Sequence, residues 1–197
     1  MASELEQTSE LLNIARSSLP LMQALEMARS LHLRSWCIGA GAVRNCVWDH
    51  LHGFSAAKTL DEVDLVYFDN NAAPERDAQL LQHLNLICPL TRWDVTNQAH
   101  VHLWYEKLFG TQVQPLESLE QGIATWPEFA TCVGLSLQDN GSISTIAPFG
   151  LQDLFELQIR HNPARASVAT FNQRHQSKQW VHRWSKLTIC LTSDNVE

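Results

Sequence analysis

The residues best suited to chemistry lie in Asp61-Glu62-Val63-Asp64-Leu65-Val66. Side chains two apart on an extended strand point the same way, so Glu62 and Asp64 emerge from one face with Cα atoms roughly 6.5–7 Å apart. Two hard carboxylates at that spacing can converge on one Mg²⁺, or on two ions about 3.5–4 Å apart, and so hold the phosphates of a nucleoside triphosphate. Val66 and Phe68 follow on the same face, which puts acids at one end and an apolar surface at the other. In Trp93-Asp94-Val95 the acid sits between two apolar residues and faces away from them. If that strand lies beside the first, Asp94 completes a three-carboxylate site, as a further metal ligand or as the base that takes the proton of an attacking hydroxyl. Upstream, Gly39-Ala40-Gly41 precedes a helical stretch. Without a Cβ at 39 and 41, backbone N–H groups can approach phosphate oxygens closely, and the helix presents its positive end to them. Arg44 and Asn45, one turn into that helix, are candidate phosphate contacts. Asn97 and Gln98 open a helix beside Asp94, where they can cap it or hydrogen-bond a substrate.

The elements that must position these groups follow from hydrophobic spacing. Residues 11–33 carry Leu21, Leu25, Ala28 and Leu31 at helical intervals, with Pro20 suited to the first turn of a second helical piece; the first ten residues read as a frayed tail. Residues 35–38 form a short apolar strand entering the glycine turn, and 42–52 a helix with Val43, Val47 and Leu51 on one stripe. Strands follow at 63–68 and 91–95, separated by a helix from Pro74 to about Ile87, and Thr96 can cap the next helix. This alternation predicts an α/β (α+β) fold, a small sheet flanked by helices, with a core at about 11–108. Beyond it, Asp139-Asn140-Gly141 between apolar runs predicts a hairpin, followed by helices at 150–157 and 171–184 and a closing strand at 187–191. The expected organisation is one domain over 10–191, its C-terminal extension spanning about 109–191.

Composition narrows the function classes. The 197 residues are 45% hydrophobic and 18% charged, enough for one packed core and unlike a disordered chain. A formal charge of −7 argues against non-specific nucleic-acid binding, which relies on basic surface, and favours a small or nucleotide-sized substrate. No apolar run approaches the ~20 residues needed to span a bilayer, so no membrane partner is expected. The acidic, polar start lacks the pattern of a secretory signal, which points to a cytoplasmic protein. Five cysteines without a CxxC pair suggest neither a disulfide framework nor a zinc knuckle; Cys37 and Cys132 read as buried small hydrophobes. His100 and His102 can chelate together only on a strand, and the tryptophans read as packing residues.

Gly39-Ala40-Gly41 followed by Glu62-Val63-Asp64-Leu65 resembles the signature of the polymerase β-like nucleotidyltransferase superfamily. The run from Gly39 to Gly53, with Tyr67-Phe68-Asp69, Asn97-Gln98-Ala99, Trp126-Pro127-Glu128 and Ala147-Pro148-Phe149-Gly150-Leu151, is similar more narrowly to a bacterial nucleotidyltransferase-like family, formerly a domain of unknown function. The resemblance implies a mixed sheet flanked by helices and Mg²⁺-dependent transfer of a nucleotidyl group from an NTP, with Mn²⁺ as an alternative ion. Glu62, Asp64 and Asp94 are then the catalytic and metal-binding residues, and Gly39, Gly41, Arg44, Asn45 and Asn97 the nucleotide contacts. The acceptor is a small molecule or a protein. This chain departs from the pattern in three places. Glu62 is one methylene longer than the usual Asp, Ala40 stands where Gly or Ser is common, and His100-Val101 replaces an expected Arg-Met. A histidine at 100 contacts phosphate favourably only when protonated. Two other readings are a nucleotide-binding or regulatory module without turnover, and a protein-interaction scaffold with a solvated acidic strand.

Overall fold

The computed structural model describes residues 3–55 and 57–190. Ser3 accepts a hydrogen bond from the Glu6 backbone and Glu6 answers to the Ser3 backbone, so α1 (Glu4–Ser17) starts in what sequence reading took as a frayed tail. The chain breaks at Ser18, and Pro20 occupies the first turn of α2 (Leu19–Arg29). β1 (Trp36–Gly39) runs directly into α3 (Ala40–Leu51). β2 (Val63–Tyr67), α4 (Arg76–Ile87) and β3 (Trp93–Asn97) come next, then a 3₁₀ turn at Gln98–His100 and α5 (His102–Phe109), which ends on left-handed Gly110. His100 and His102 therefore do not share a strand.

The second half holds α6 (Leu119–Ile123), the hairpin β4 (Gly134–Leu137) and β5 (Ile143–Ile146), and α7 (Gln152–Phe155). β6 (Gln158–Arg160), α8 (Val168–Lys178), α9 (Trp180–Arg183) and β7 (Thr188–Cys190) complete it. The single helix expected over 171–184 is two, because Gln179 adopts a left-handed backbone and reorients the chain. Leu191, the last residue of the expected closing strand and domain, lies outside the described residues. No described helix is long and apolar enough to cross a membrane.

The main sheet has the order β3-β2-β1-β4-β5 and is mixed: β2 and β3 are parallel, the other neighbours antiparallel. Its two faces have different work. Trp36, Ile38, Val63, Leu65, Tyr67, Trp93 and Val95 point toward α1–α4 and build the principal core with Leu25, Val47, Trp48 and Leu84. The alternate residues Cys37 and Val66 join Leu119, Ile123 and Cys132 in a smaller cluster under α6. Asp64 and Asp94 belong to this second face by strand alternation. One end of the sheet is therefore thinly covered, and the acids stand there.

Gly39 is required by packing. A Cβ there would come within 2.5 Å of the Trp126 ring and 2.9 Å of the Val133 carbonyl oxygen. At Gly41 the nearest atoms to such a Cβ are the Arg44 and Asn45 side chains at 3.8 and 4.0 Å, an ordinary contact. Gly39→Ala should therefore destabilise the protein by about 1–3 kcal/mol, whereas Gly41→Ala, within a helical turn, should be neutral or stabilising by up to about 1 kcal/mol. Chemical denaturation of the two variants checks the contrast.

Candidate active site

β2 and β3 pair in parallel with Asp64 directly opposite Asp94, so the two carboxyl groups are neighbours on one face. The antiparallel partner of Asp64 on the other side is Gly39, at the mouth of the glycine turn. Asp64 is partly buried, and burial together with negative Glu62 and Asp94 pushes its pKa up to about 6, against the pull of Arg174 and Arg44. Burial and Glu62 also raise Asp94. Like charges have been packed together here, and the two arginines offset only part of the repulsion on Asp64.

Glu62 stands just before β2 and near enough to repel both aspartates, but its carboxylate accepts from Arg92 Nη2 at 2.6 Å and Nε at 3.2 Å. Among the described residues no three His, Cys, Asp or Glu side chains stand close enough together to hold a metal ion. Of the expected trio, Asp64 and Asp94 stand side by side, and Glu62, near both, is paired with Arg92. The two aspartates suit Mg²⁺, which is commonly bound by one or two carboxylates and substrate phosphates while keeping several waters.

The glycine turn positions the start of α3. Gly39 is its N-cap and offers no side chain to the first N–H groups of the helix. Ala40 takes φ +49°, a left-handed conformation that costs a non-glycine residue roughly 1–2 kcal/mol. Arg44 is buried rather than poised at the surface: its guanidinium lies 4.3 Å from the Trp180 ring centre and 4.9 Å from that of Trp48. It donates to Thr131 Oγ1 at 3.1 Å and to Asn45 Oδ1 at 3.0 Å. Burial lowers its pKa to about 10, with Glu128 and Asp64 favouring the charged form and Arg174 opposing it. Asn45 is therefore tied to Arg44, although both still line a cavity of about 240 Å³ with Gly41, Glu62 and Asp64. Lys178, Arg183 and Asp61 line it too, and Arg183 is paired with Asp49 and Asp61.

Asn97 is a correction to the expected nucleotide contacts. β3 extends to residue 97, so Asn97 shares the face of Trp93 and Val95, opposite Asp94. It is fully buried; its Oδ1 accepts from the Asp69 and Ala99 N–H groups and its Nδ2 donates to the Asp69 carbonyl. Gln98, not Asn97, reaches the site side, where it lines a second cavity of about 270 Å³. Gly39 also differs from expectation, since Trp126 fills the space above it. His100 lines neither cavity and lies 3.4 Å from Asn97 Nδ2.

Sequence reading missed the residues that fix the charge of the site. Glu128, 1% exposed, accepts from Arg174 Nε at 2.8 Å and from Thr131 Oγ1 at 3.0 Å. Thr131 Oγ1 also receives Arg44, so one buried carboxylate serves two cations, one directly and one through a hydroxyl. Its only signal in the sequence was the Trp126-Pro127-Glu128 motif. Asp49 bonds Arg183 at 2.9 Å and the Trp184 indole at 2.8 Å, which ties α3 to α9. Trp48 packs edge to face with Trp180 and with Trp184, and Trp126 packs against the smaller core cluster while it and Trp104 line the 270 Å³ cavity.

Residues 26–189 match the family model described as Nucleotidyltransferase, and the chain belongs to this family. Among solved structures it is similar to one whose NMR structure is described as revealing a CCA-adding enzyme head domain. The two share 26% identity and a TM-score of 0.75 over 93% of this chain and 96% of that one. A tRNA-processing enzyme in an apo form matches at 16% identity and a TM-score of 0.47 over 84% of this chain, which spans 44% of that longer one. No curated protein matches the sequence.

Two stability measurements follow. The native state holds the Asp64 proton more tightly than the unfolded chain, so its favourable contribution is complete below about pH 4 and lost as pH rises through about 6. In metal-free buffer Asp64→Asn should therefore stabilise the protein at pH 8 by roughly 1–3 kcal/mol and make little difference at pH 4, read by denaturant titration at both values. Glu128→Gln should destabilise it by about 3–5 kcal/mol, because two cations lose their shared anion.

Proposed function

We propose that this protein transfers an NMP from a nucleoside triphosphate to a hydroxyl or amine of a small-molecule or protein acceptor, with Mg²⁺, or Mn²⁺ in its place. The observation that carries this is the register of Asp64 on Asp94 at the boundary between two cavities, with Asp64 lining both. Arg44 and Lys178 bring positive charge to the 240 Å³ cavity beside its carboxylates, the mixture that a triphosphate with a divalent ion would meet, and Gly41 leaves the first turn of α3 open to phosphate oxygens. Asp64 and Asp94 are the hard donors for the divalent ion. When bound, the ion neutralises phosphate charge and polarises the attacked phosphorus. The acceptor oxygen or nitrogen forms a bond to the α-phosphorus, the α–β bridging P–O bond breaks, and pyrophosphate leaves with the electron pair. The acceptor proton passes to Asp94 or to water. Arg44, held against two indole rings and by Thr131, keeps its position without reorganising as charge moves.

The similarity to a CCA-adding head domain brings RNA to mind as an acceptor, yet the charge of −7 favours a smaller one. The Glu62–Arg92 pair favours a second reading, nucleotide binding without turnover, because it withdraws one of three acids.

Calorimetry with ATP and CTP, with and without Mg²⁺, should show metal-dependent binding that Asp64→Asn abolishes and Gly41→Ala weakens. Incubation of the wild type with α-labelled NTPs and a cell lysate should release pyrophosphate and label an acceptor. Asp94→Asn should slow this at least about 100-fold, roughly 2.7 kcal/mol in the barrier. Binding without pyrophosphate release supports the second reading, and no binding of any NTP removes both.

A further inference from the structure

The 270 Å³ cavity differs in kind from its neighbour. Trp104, Tyr105, Phe109 and Trp126 put four aromatic rings in its wall, and Asp94 and Thr96 of β3 reach it but not the 240 Å³ cavity. α5 buries none of its residues, and Trp104 and Phe109 are 36% and 54% exposed, so this wall is built of apolar rings with no core to fill. Arg174 and Arg165 both line the cavity. The charge of Arg174 is met by Glu128. Arg165 is different. Its Nη2 donates to the Gln114 carbonyl at 2.8 Å, its guanidinium lies 5.5 Å from the Tyr105 ring centre, and its Nη1, shielded from water, has no hydrogen-bond partner. No carboxylate pairs with it among the described residues. Burial lowers its pKa, opposed only by Tyr105. A half-buried cation with a spare, water-shielded N–H donor, in a cleft that carries four aromatic rings, is a group that lacks an acceptor.

We infer that this cavity is the acceptor site and that it takes a small planar molecule carrying a carboxylate or a phosphate, the ring against Trp104 and Trp126 and the anion on Arg165. This rests on the transferase reading, since Asp94 then meets the nucleophilic end of the acceptor. The volume supports a single ring with a short arm, because pockets for drug-sized ligands begin at about 300 Å³. The triphosphate belongs to the other cavity, where Arg44 and Lys178 stand.

The test is calorimetry of the full chain with 4-hydroxyphenylacetate, phenyl phosphate and the uncharged 4-hydroxyphenylacetamide. One or both anions should bind at least tenfold more tightly than the amide, and the stronger of the two identifies the anionic group. Arg165→Gln should reduce that ratio to near one, while Arg165→Lys, which keeps the charge, should retain part of it. A structural role for Arg165 would weaken charged and neutral probes alike and leave the ratio unchanged, which overturns the assignment. Equal binding of all three probes to the wild type does the same, as does tighter binding of tricytidylate than of either small anion. Mg²⁺-ATP titration of the same wild-type sample separates the two ideas: failure there removes the transferase reading, whereas lost discrimination with nucleotide binding intact removes only the acceptor site.

Discussion

One carboxylate that water barely reaches organises the charges of this protein. Glu128 binds Arg174 directly and Arg44 through the Thr131 hydroxyl, and both cations act on Asp64. Two positive charges against one negative leave a surplus beside Asp64, and that surplus favours its ionised form against the repulsion of Glu62 and Asp94. Burying an ion pair seldom adds net stability. Its retention here makes sense as a device that fixes two guanidinium groups in place before a substrate arrives. The surrounding backbone secures Glu128 in turn: Asn162 donates to the carbonyls of Ala124 and Trp126 and takes the Pro127 carbonyl on its own N–H.

The sheet separates stability from chemistry. Its helix-covered face holds the principal core, and its other face carries a small cluster, the two aspartates and the two cavities. Gly39 and Cys37 lie on that second face, where Trp126 closes over the glycine. The glycine turn therefore has two roles split between its members. Gly39 lets the second half of the chain pack closely, and Gly41 leaves the helix start accessible.

Period-two alternation was enough to place Asp64 and Asp94 on one face, since strand geometry dictates it from adjacent apolar residues. The same rule misplaced Asn97 only because β3 was expected to end at Val95; two more residues of strand put that side chain beneath the sheet with Trp93 and Val95. The capping box of α1 is also written in Ser3 and Glu6, within a segment whose polar composition reads as a tail. Glu128, Arg165 and Arg174 were not legible by such rules. Each looks like an ordinary solvated residue until distant segments fold over it, and burial of a charge is a tertiary property with no local signature. Family membership, by contrast, was legible from the run Gly39–Gly53 and the acidic strand.

The clasp between α3 and α9 has a consequence for biosynthesis. Asp49 and Arg183 are 134 residues apart, and Lys178, Gln179, Trp180 and Arg183 wall the cavity that opens on Gly41. Contacts of such sequence separation close late, after the loop entropy between them has been overcome. A nascent chain still on the ribosome can form the sheet edge of β1, β2 and β3 and display its aspartates, yet it lacks the wall opposite them. The wall that α8 and α9 contribute is thus absent until synthesis has passed Arg183, and with it one side of the cavity to which a polyphosphate is assigned in the proposed function.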